Sequence, residues 1–265
     1  MTIDYFVRSW GEPHNPPLIL LHGFLGDSRD FETLVTPLLD QVYCLAVDLP
    51  GHGRTKVLGA AEQYSFEKTA PSLIEFLLTQ TAPPWHLCGY SLGGRLALYL
   101  TLRFAPFINK LILISASPGL KTLAEQHQRK LADQHWLHLL QHHPLPEFLD
   151  YWYAQPLFTS LRSQPDFGQL YQRRLENSPL HLRLSLAHCG LGHQPSLWPE
   201  LVNGVRPLLA LVGEQDKKFC FINRALTQLY PQALYREIPQ SGHGVPWEKP
   251  QIWGEDIKPF LKTMG

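Results

Sequence analysis

The chain has 265 residues, 44% of them apolar, which suits one large domain or a domain that carries an insertion. Lys+Arg and Asp+Glu number 23 each, so the net charge is zero. No basic field or run draws nucleic acid or a membrane surface, and any anion must be met by individually placed arginines.

The first eight residues carry charges inside their apolar stretch and lack a cleavage-like site, so they do not read as a signal peptide. No apolar run approaches the ~20 residues of a membrane span. Cys44, Cys88, Cys189 and Cys220 show no Cys-x-x-Cys spacing. Reduced thiols and a cytoplasmic location are therefore expected. Residues 1–17 predict an opening hairpin turning at Gly11-Glu12-Pro13-His14-Asn15. Pro17-Leu18-Ile19-Leu20-Leu21 is a buried strand emptying into His22-Gly23-Phe24-Leu25-Gly26. Asp27-Ser28-Arg29-Asp30 is placed to cap a helix over 31–39. Val42-Tyr43-Cys44-Leu45-Ala46-Val47 gives a second strand, ending in the loop Asp48-Leu49-Pro50-Gly51-His52-Gly53. A helix follows over about 66–80. Trp85-His86-Leu87-Cys88 and Leu111-Ile112-Leu113-Ile114-Ser115 are further buried strands.

Alternating apolar strands and amphipathic helices imply an α/β architecture, a mostly parallel sheet with helices on both faces. The alternation breaks after Pro118-Gly119. From there to about 204 the sequence is polar, helical in period, and holds eight of the 13 histidines. Leu208-Leu209-Ala210-Leu211-Val212 and Ala233-Leu234-Tyr235-Arg236-Glu237-Ile238 restore the strand pattern. The expected organisation is a core of 1–117 and 205–265 with a helical lid, 118–204, inserted between two strands.

Gly89-Tyr90-Ser91-Leu92-Gly93 reads Gly-x-Ser-x-Gly between a strand and a helix, the pattern of a nucleophile elbow. Gly89 and Gly93 give room for a strained turn, and the following helix aims its positive end at Ser91. A serine hydroxyl needs an imidazole to take its proton, and that imidazole needs a carboxylate to fix its tautomer. Two late loops supply them, Gly213-Glu214-Gln215-Asp216 and Gln240-Ser241-Gly242-His243-Gly244. Their order after the serine is the one this elbow uses. Ser91, His243 and Asp216 are the candidate triad, with Glu214 a competing acid. The backbone N–H groups of Phe24 and Leu92 are candidates for an oxyanion hole, while His22 reads as structural. His138, His142 and His143 have metal-like spacing but no Cys or carboxylate partners, so no metal is expected.

These residues resemble the α/β-hydrolase fold over essentially the whole chain. More closely, the chain is similar to the 2-succinyl-6-hydroxy-2,4-cyclohexadiene-1-carboxylate synthases of menaquinone and phylloquinone biosynthesis. The selective stretch is Gly89-Tyr90-Ser91-Leu92-Gly93-Gly94-Arg95, supported by Leu21-His22-Gly23-Phe24-Leu25-Gly26-Asp27 and by Trp152-Tyr153-Ala154-Gln155-Pro156-Leu157-Phe158, Arg174-Leu175-Glu176-Asn177 and Gln194-Pro195-Ser196-Leu197-Trp198. The resemblance implies a lyase that eliminates pyruvate from a small polycarboxylate, with Ser91 as the proton-abstracting base and no cofactor. It implies substrate-binding roles for Arg95, Arg129 and Arg174, whose guanidinium forks suit carboxylates. Arg173 is an alternative to Arg174, and Lys218 is a further candidate. Tyr90 and Trp152 would pack on the ring. A serine hydrolase of the same fold, cleaving an ester or a carbon–carbon bond, is the alternative.

Overall fold

Apolar runs with no polar face have to be covered on both sides, and that requirement sets the architecture. The computed structural model describes residues 2–262. Seven strands form one sheet: β1 (Val7–Trp10), β2 (Pro17–Leu21), β3 (Tyr43–Val47), β4 (Trp85–Tyr90), β5 (Ile108–Ile114), β6 (Leu208–Gly213) and β7 (Ala233–Ile238). Their spatial order is β1-β3-β2-β4-β5-β6-β7, all parallel except β1, which runs antiparallel to β3. Ile3–Asp4 and Lys56–Val57 make a separate two-stranded antiparallel ribbon.

Side chains alternate across the sheet with a period of two. Ile19, Leu21, Leu111 and Leu113 face a layer containing Leu73 and Leu77 of α1 (Phe66–Gln80), Leu96 and Leu100 of α2 (Leu92–Arg103), and Leu226 of α8 (Lys217–Leu229). Leu18, Leu20, Ile112 and Ile114 face Phe31, Leu38, Trp253, Ile257 and Phe260 on the other side. Between β5 and β6 the chain leaves the sheet to form α3 (Leu123–His142), α4 (Leu145–Ala154), α5 (Thr159–Arg162), α6 (Phe167–Arg174) and α7 (Pro179–Cys189). These helices build a core of their own around Leu140, Phe148, Leu149, Phe158 and Leu182, to which the sheet-end residue Leu25 is added. Among the described residues no helix is long and apolar enough to cross a membrane.

Two local expectations fail. The opening segment is not a hairpin, because β2 is flanked on both sides by the parallel strands β3 and β4 and has no edge to offer. β1 pairs with β3 instead, crossing at Gly11, whose φ of 87° and close approach to the Val42 carbonyl both need glycine. No α-helix spans 31–39. Two single 3₁₀ turns, Ser28–Phe31 and Thr36–Leu38, stand there. Pro37 has no N–H to continue a helix, and the Asp27 carboxylate closes the first turn early on the Arg29 amide.

The parallel strands all point their carboxyl ends the same way. His22, Asp48, Ser91 and Ser115 therefore emerge on one rim, as do the loops after β6 and β7. That rim is where open α/β sheets bind ligands.

Candidate active site

Ser91 sits between β4 and α2 with φ 49° and ψ −107°, a conformation strained for a residue with a Cβ. The turn closes only because its neighbours are small. A Cβ on Gly93 would strike the Leu21 and His22 carbonyls, and one on Gly89 would strike the Gly93 backbone. The Ser91 amide donates to the Ile114 carbonyl at 2.9 Å and the Gly93 amide to that of His22 at 3.0 Å, tying the turn to both neighbouring strands. The Leu92 amide, first of α2, and the Phe24 amide have no acceptor among the described residues.

His243 Nε2 lies 3.2 Å from Ser91 Oγ, and His243 Nδ1 lies 2.7 Å from Asp216 Oδ2. His243 and Asp216 are buried, at 2% and 6% exposure. The acceptor-only carboxylate puts the proton on Nδ1 and leaves Nε2 free to accept from the serine. Asp216 also serves as the N-cap of α8, where its Oδ1 accepts the Phe219 amide at 3.3 Å. Glu214, the competing acid, instead accepts the Gln240 amide at 3.0 Å, away from the imidazole. His22 is engaged at both nitrogens, accepting the Leu49 amide at Nε2 (2.9 Å) and donating from Nδ1 to the Gly23 carbonyl (2.7 Å).

A cavity of about 320 Å³ opens over Ser91, in the range of small-molecule sites. It is lined by Phe24, Tyr90, Leu92, Arg95, Arg129, Trp152, Lys218 and His243. Trp152 packs against Phe24 and Trp136, each with ring centroids 5.0 Å away. Tyr90 lies between His243 (5.6 Å) and Trp247 (5.0 Å), and burial pushes its phenol well above the ordinary value, so it stays neutral. A larger cavity of about 430 Å³, between Asp30, Arg173 and Trp247, holds no triad residue. Chemistry rather than volume identifies the site. Among the described residues no cluster of three or more His, Cys, Asp or Glu side chains is placed to hold a metal ion.

The arginines divide. Arg95 donates to the Gln194 side-chain carbonyl (2.8 Å) and the Cys189 backbone carbonyl (3.0 Å), both neutral, and no carboxylate pairs with it among the described residues. Burial lowers its pKa to about 10, which still leaves it charged at neutral pH. Arg129 places Nε 2.8 Å from Asp133 Oδ1 and keeps about a third of its side chain exposed. Arg174, for which the resemblance implied a substrate-binding role, is paired within the protein. It is 3% exposed, clamps Asp30 with two hydrogen bonds of 2.9 and 2.8 Å, and does not line the cavity. Arg173, the alternative, bonds the Arg29 carbonyl and also turns away. Lys218, first turn of α8, joins the cavity wall in their place. Two contributors have no role assigned from the sequence, Gln194 beneath Arg95, which lies in a stretch of the resemblance, and Glu248, which binds the Gly242 and Gly244 amides. The Gly244-to-Glu248 spacing, close to that of a capping box, is the one signal that could have found the second.

A family model described as the alpha/beta hydrolase fold matches residues 16–250. A 2-succinyl-6-hydroxy-2,4-cyclohexadiene-1-carboxylate synthase from Serratia proteamaculans (strain 568) is 32% identical over 98% of this chain and 98% of its own length. The protein of the same name from Salmonella newport (strain SL254) is 33% identical and covers 91% of each chain. The solved structure of MenH from S. aureus aligns with a TM-score of 0.91 at 33% identity, covering 97% of both chains.

Proposed function

This chain belongs to the α/β-hydrolase fold family and, within it, to the 2-succinyl-6-hydroxy-2,4-cyclohexadiene-1-carboxylate synthases, and from that membership we propose that it eliminates pyruvate from 2-succinyl-5-enolpyruvyl-6-hydroxy-3-cyclohexene-1-carboxylate. This would be a step of menaquinone or phylloquinone biosynthesis. The observation that carries the proposal is a Ser91–His243–Asp216 relay opening into a cavity where, among the described residues, Arg95 hydrogen-bonds only neutral acceptors. A desolvated cation without a carboxylate calls for an anionic ligand.

In this reaction His243 Nε2 takes the Ser91 proton, and Ser91 removes the ring proton beside the succinyl ketone. Asp216 stabilises the imidazolium without itself being protonated. Charge builds on the ketone oxygen, where the Phe24 and Leu92 amides donate to it. The electron pair moves through the ring, the bond to the enolpyruvyl oxygen breaks, and the departing enolate is protonated to pyruvate. Arg95, Arg129 and Lys218 hold the carboxylates, while Tyr90 and Trp152 flank the ring. The helices of 118–204 act as a lid over the core, excluding water while Arg129 and Trp152 meet the substrate.

The test is pyruvate release from the enolpyruvyl substrate by the purified protein. Release well above the spontaneous rate is expected. Ser91→Ala should lose about 10²–10⁴ in kcat, the contribution of a positioned base. Release no faster than the blank rejects the assignment, and brisk turnover of p-nitrophenyl esters in that case points to the hydrolase alternative.

A further inference from the structure

The loop that presents His243 is braced by a carboxylate that none of the steps above uses. Glu248 ends the single turn α9 (Val245–Glu248) and is 7% exposed. Its Oε2 accepts the Gly242 amide at 2.6 Å and its Oε1 the Gly244 amide at 3.0 Å. Those amides belong to the residues immediately before and after His243. With the backbone pinned on both sides, the imidazole keeps only its side-chain torsions, and the 2.7 Å bond to Asp216 sets those. Capping α9 explains the Gly244 contact alone, because Gly244 is its N-cap. The shorter bond, to Gly242, lies outside the turn and does nothing for it.

Two further observations point the same way. Among the described residues no Lys or Arg forms an ion pair with Glu248. A buried charge held by neutral donors alone is costly unless those hydrogen bonds are strong. The third donor is the Ser160 hydroxyl, 3.1 Å from Oε1, on α5 of the inserted helices. It lies so close to Gly242 that a Cβ there would collide with it. One carboxylate thus joins the histidine loop to the helical insertion.

We propose that Glu248 is a positioning residue that holds His243 in line with Ser91 and, through Ser160, couples that alignment to the seating of the inserted helices. The proposal rests on the assignment of Ser91 and His243 as the reacting pair, not on the identity of the substrate. Glu248→Gln keeps the shape, but the two amides address different oxygens, so the substitution sets an NH2 donor against one of the two amide N–H groups. Inactivation by a fluorophosphonate reads the Ser91–His243 pair whatever the substrate, and pyruvate release reads the proposed reaction. Both the inactivation rate and kcat should fall about tenfold, part of the ~10²–10⁴ a general base contributes. KM should move by less than about twofold, since no ground-state contact is lost. The downfield proton resonance of the His243–Asp216 hydrogen bond should broaden. A variant that melts earlier but, while folded, inactivates at the wild-type rate would mark Glu248 as a helix cap and overturn the proposal. Slower inactivation in a protein whose wild type releases no pyruvate would sustain this role and sink the synthase assignment. Should Glu248→Gln fail to fold, Ser160→Ala decides: an inactivation rate two- to threefold lower is expected for loss of one hydrogen bond of about half a kcal/mol, and an unchanged rate overturns the coupling.

Discussion

At two of the places where the inserted helices meet the core, arginine does opposite work. At the end of α6, Arg174 spans 144 residues of sequence to pair with Asp30, both side chains at 3% exposure or less. Arg29 adds a bond to Glu176, and Asn177 one to the Leu25 carbonyl. At the other contact Arg95 rises from α2 beneath α7, lies over the Phe66 ring, and among the described residues hydrogen-bonds only the Gln194 and Cys189 oxygens. The first junction is electrostatically closed and fastens the insertion. The second is electrostatically open and suits an anionic ligand. A guanidinium's role follows from whether the fold has already supplied its carboxylate.

The comparison would break first at Arg174. Arg174→Ala leaves the Asp30 charge buried and half-paired, so a loss of about 3–5 kcal/mol in unfolding free energy is expected, read from urea denaturation. Folded molecules of this variant should keep near-wild-type KM. A large KM rise without destabilisation would return Arg174 to the substrate site. Arg95→Ala should behave the other way. It gives up about 2 kcal/mol of transition-state binding, roughly thirtyfold in kcat/KM for pyruvate release, with little change in melting temperature. Arg129→Ala should cost less, about 1 kcal/mol or roughly fivefold, because Asp133 already shares its charge and its side chain is partly solvated. Lys121→Ala, on an exposed residue over the Trp198 ring, should change neither quantity measurably and serves as the control.

Acid sharpens the core side of the comparison. Burial holds His52 well below the usual imidazole range and His86 down at about 4, the latter helped by Lys110. Unfolded, both titrate near 6.5. Below that pH the unfolded chain binds protons that the folded one refuses, so stability falls as pH drops; above it these groups contribute no pH dependence. Each imidazole should add roughly 1 kcal/mol of lost stability per pH unit below 6.5, for His86 down to about pH 4. Urea midpoints at pH 7.5 and 5 check this, and His86→Gln should flatten the slope.

Much of the core is legible in the sequence because its signals are local. The strand Ala233–Ile238 and the helix Phe66–Gln80 stand where periodicity puts them, since an amphipathic face is written in consecutive residues. The opening hairpin and the 31–39 helix fail for different reasons. The hairpin loses to a partner far along the chain, the strand β3, whereas the helix is cut short locally by Pro37 and by the Asp27 carboxylate on the Arg29 amide.

The sequence by itself determined the kind of protein: alternating buried strands and helices, a serine at a glycine-lined bend, and a histidine and acids on late loops. These follow from residue type and spacing, which the chain carries explicitly. Only the tertiary structure decided which cations stay open to a ligand and which anion braces the histidine. Arg174 is neutralised by Asp30, Arg95 forms no ion pair with a carboxylate among the described residues, and Glu248 turns back to two amides. The physical reason is that a charge is defined by its partner, and partners such as Arg174 and Asp30, 144 residues apart, come together only when the sheet and the inserted helices close on each other.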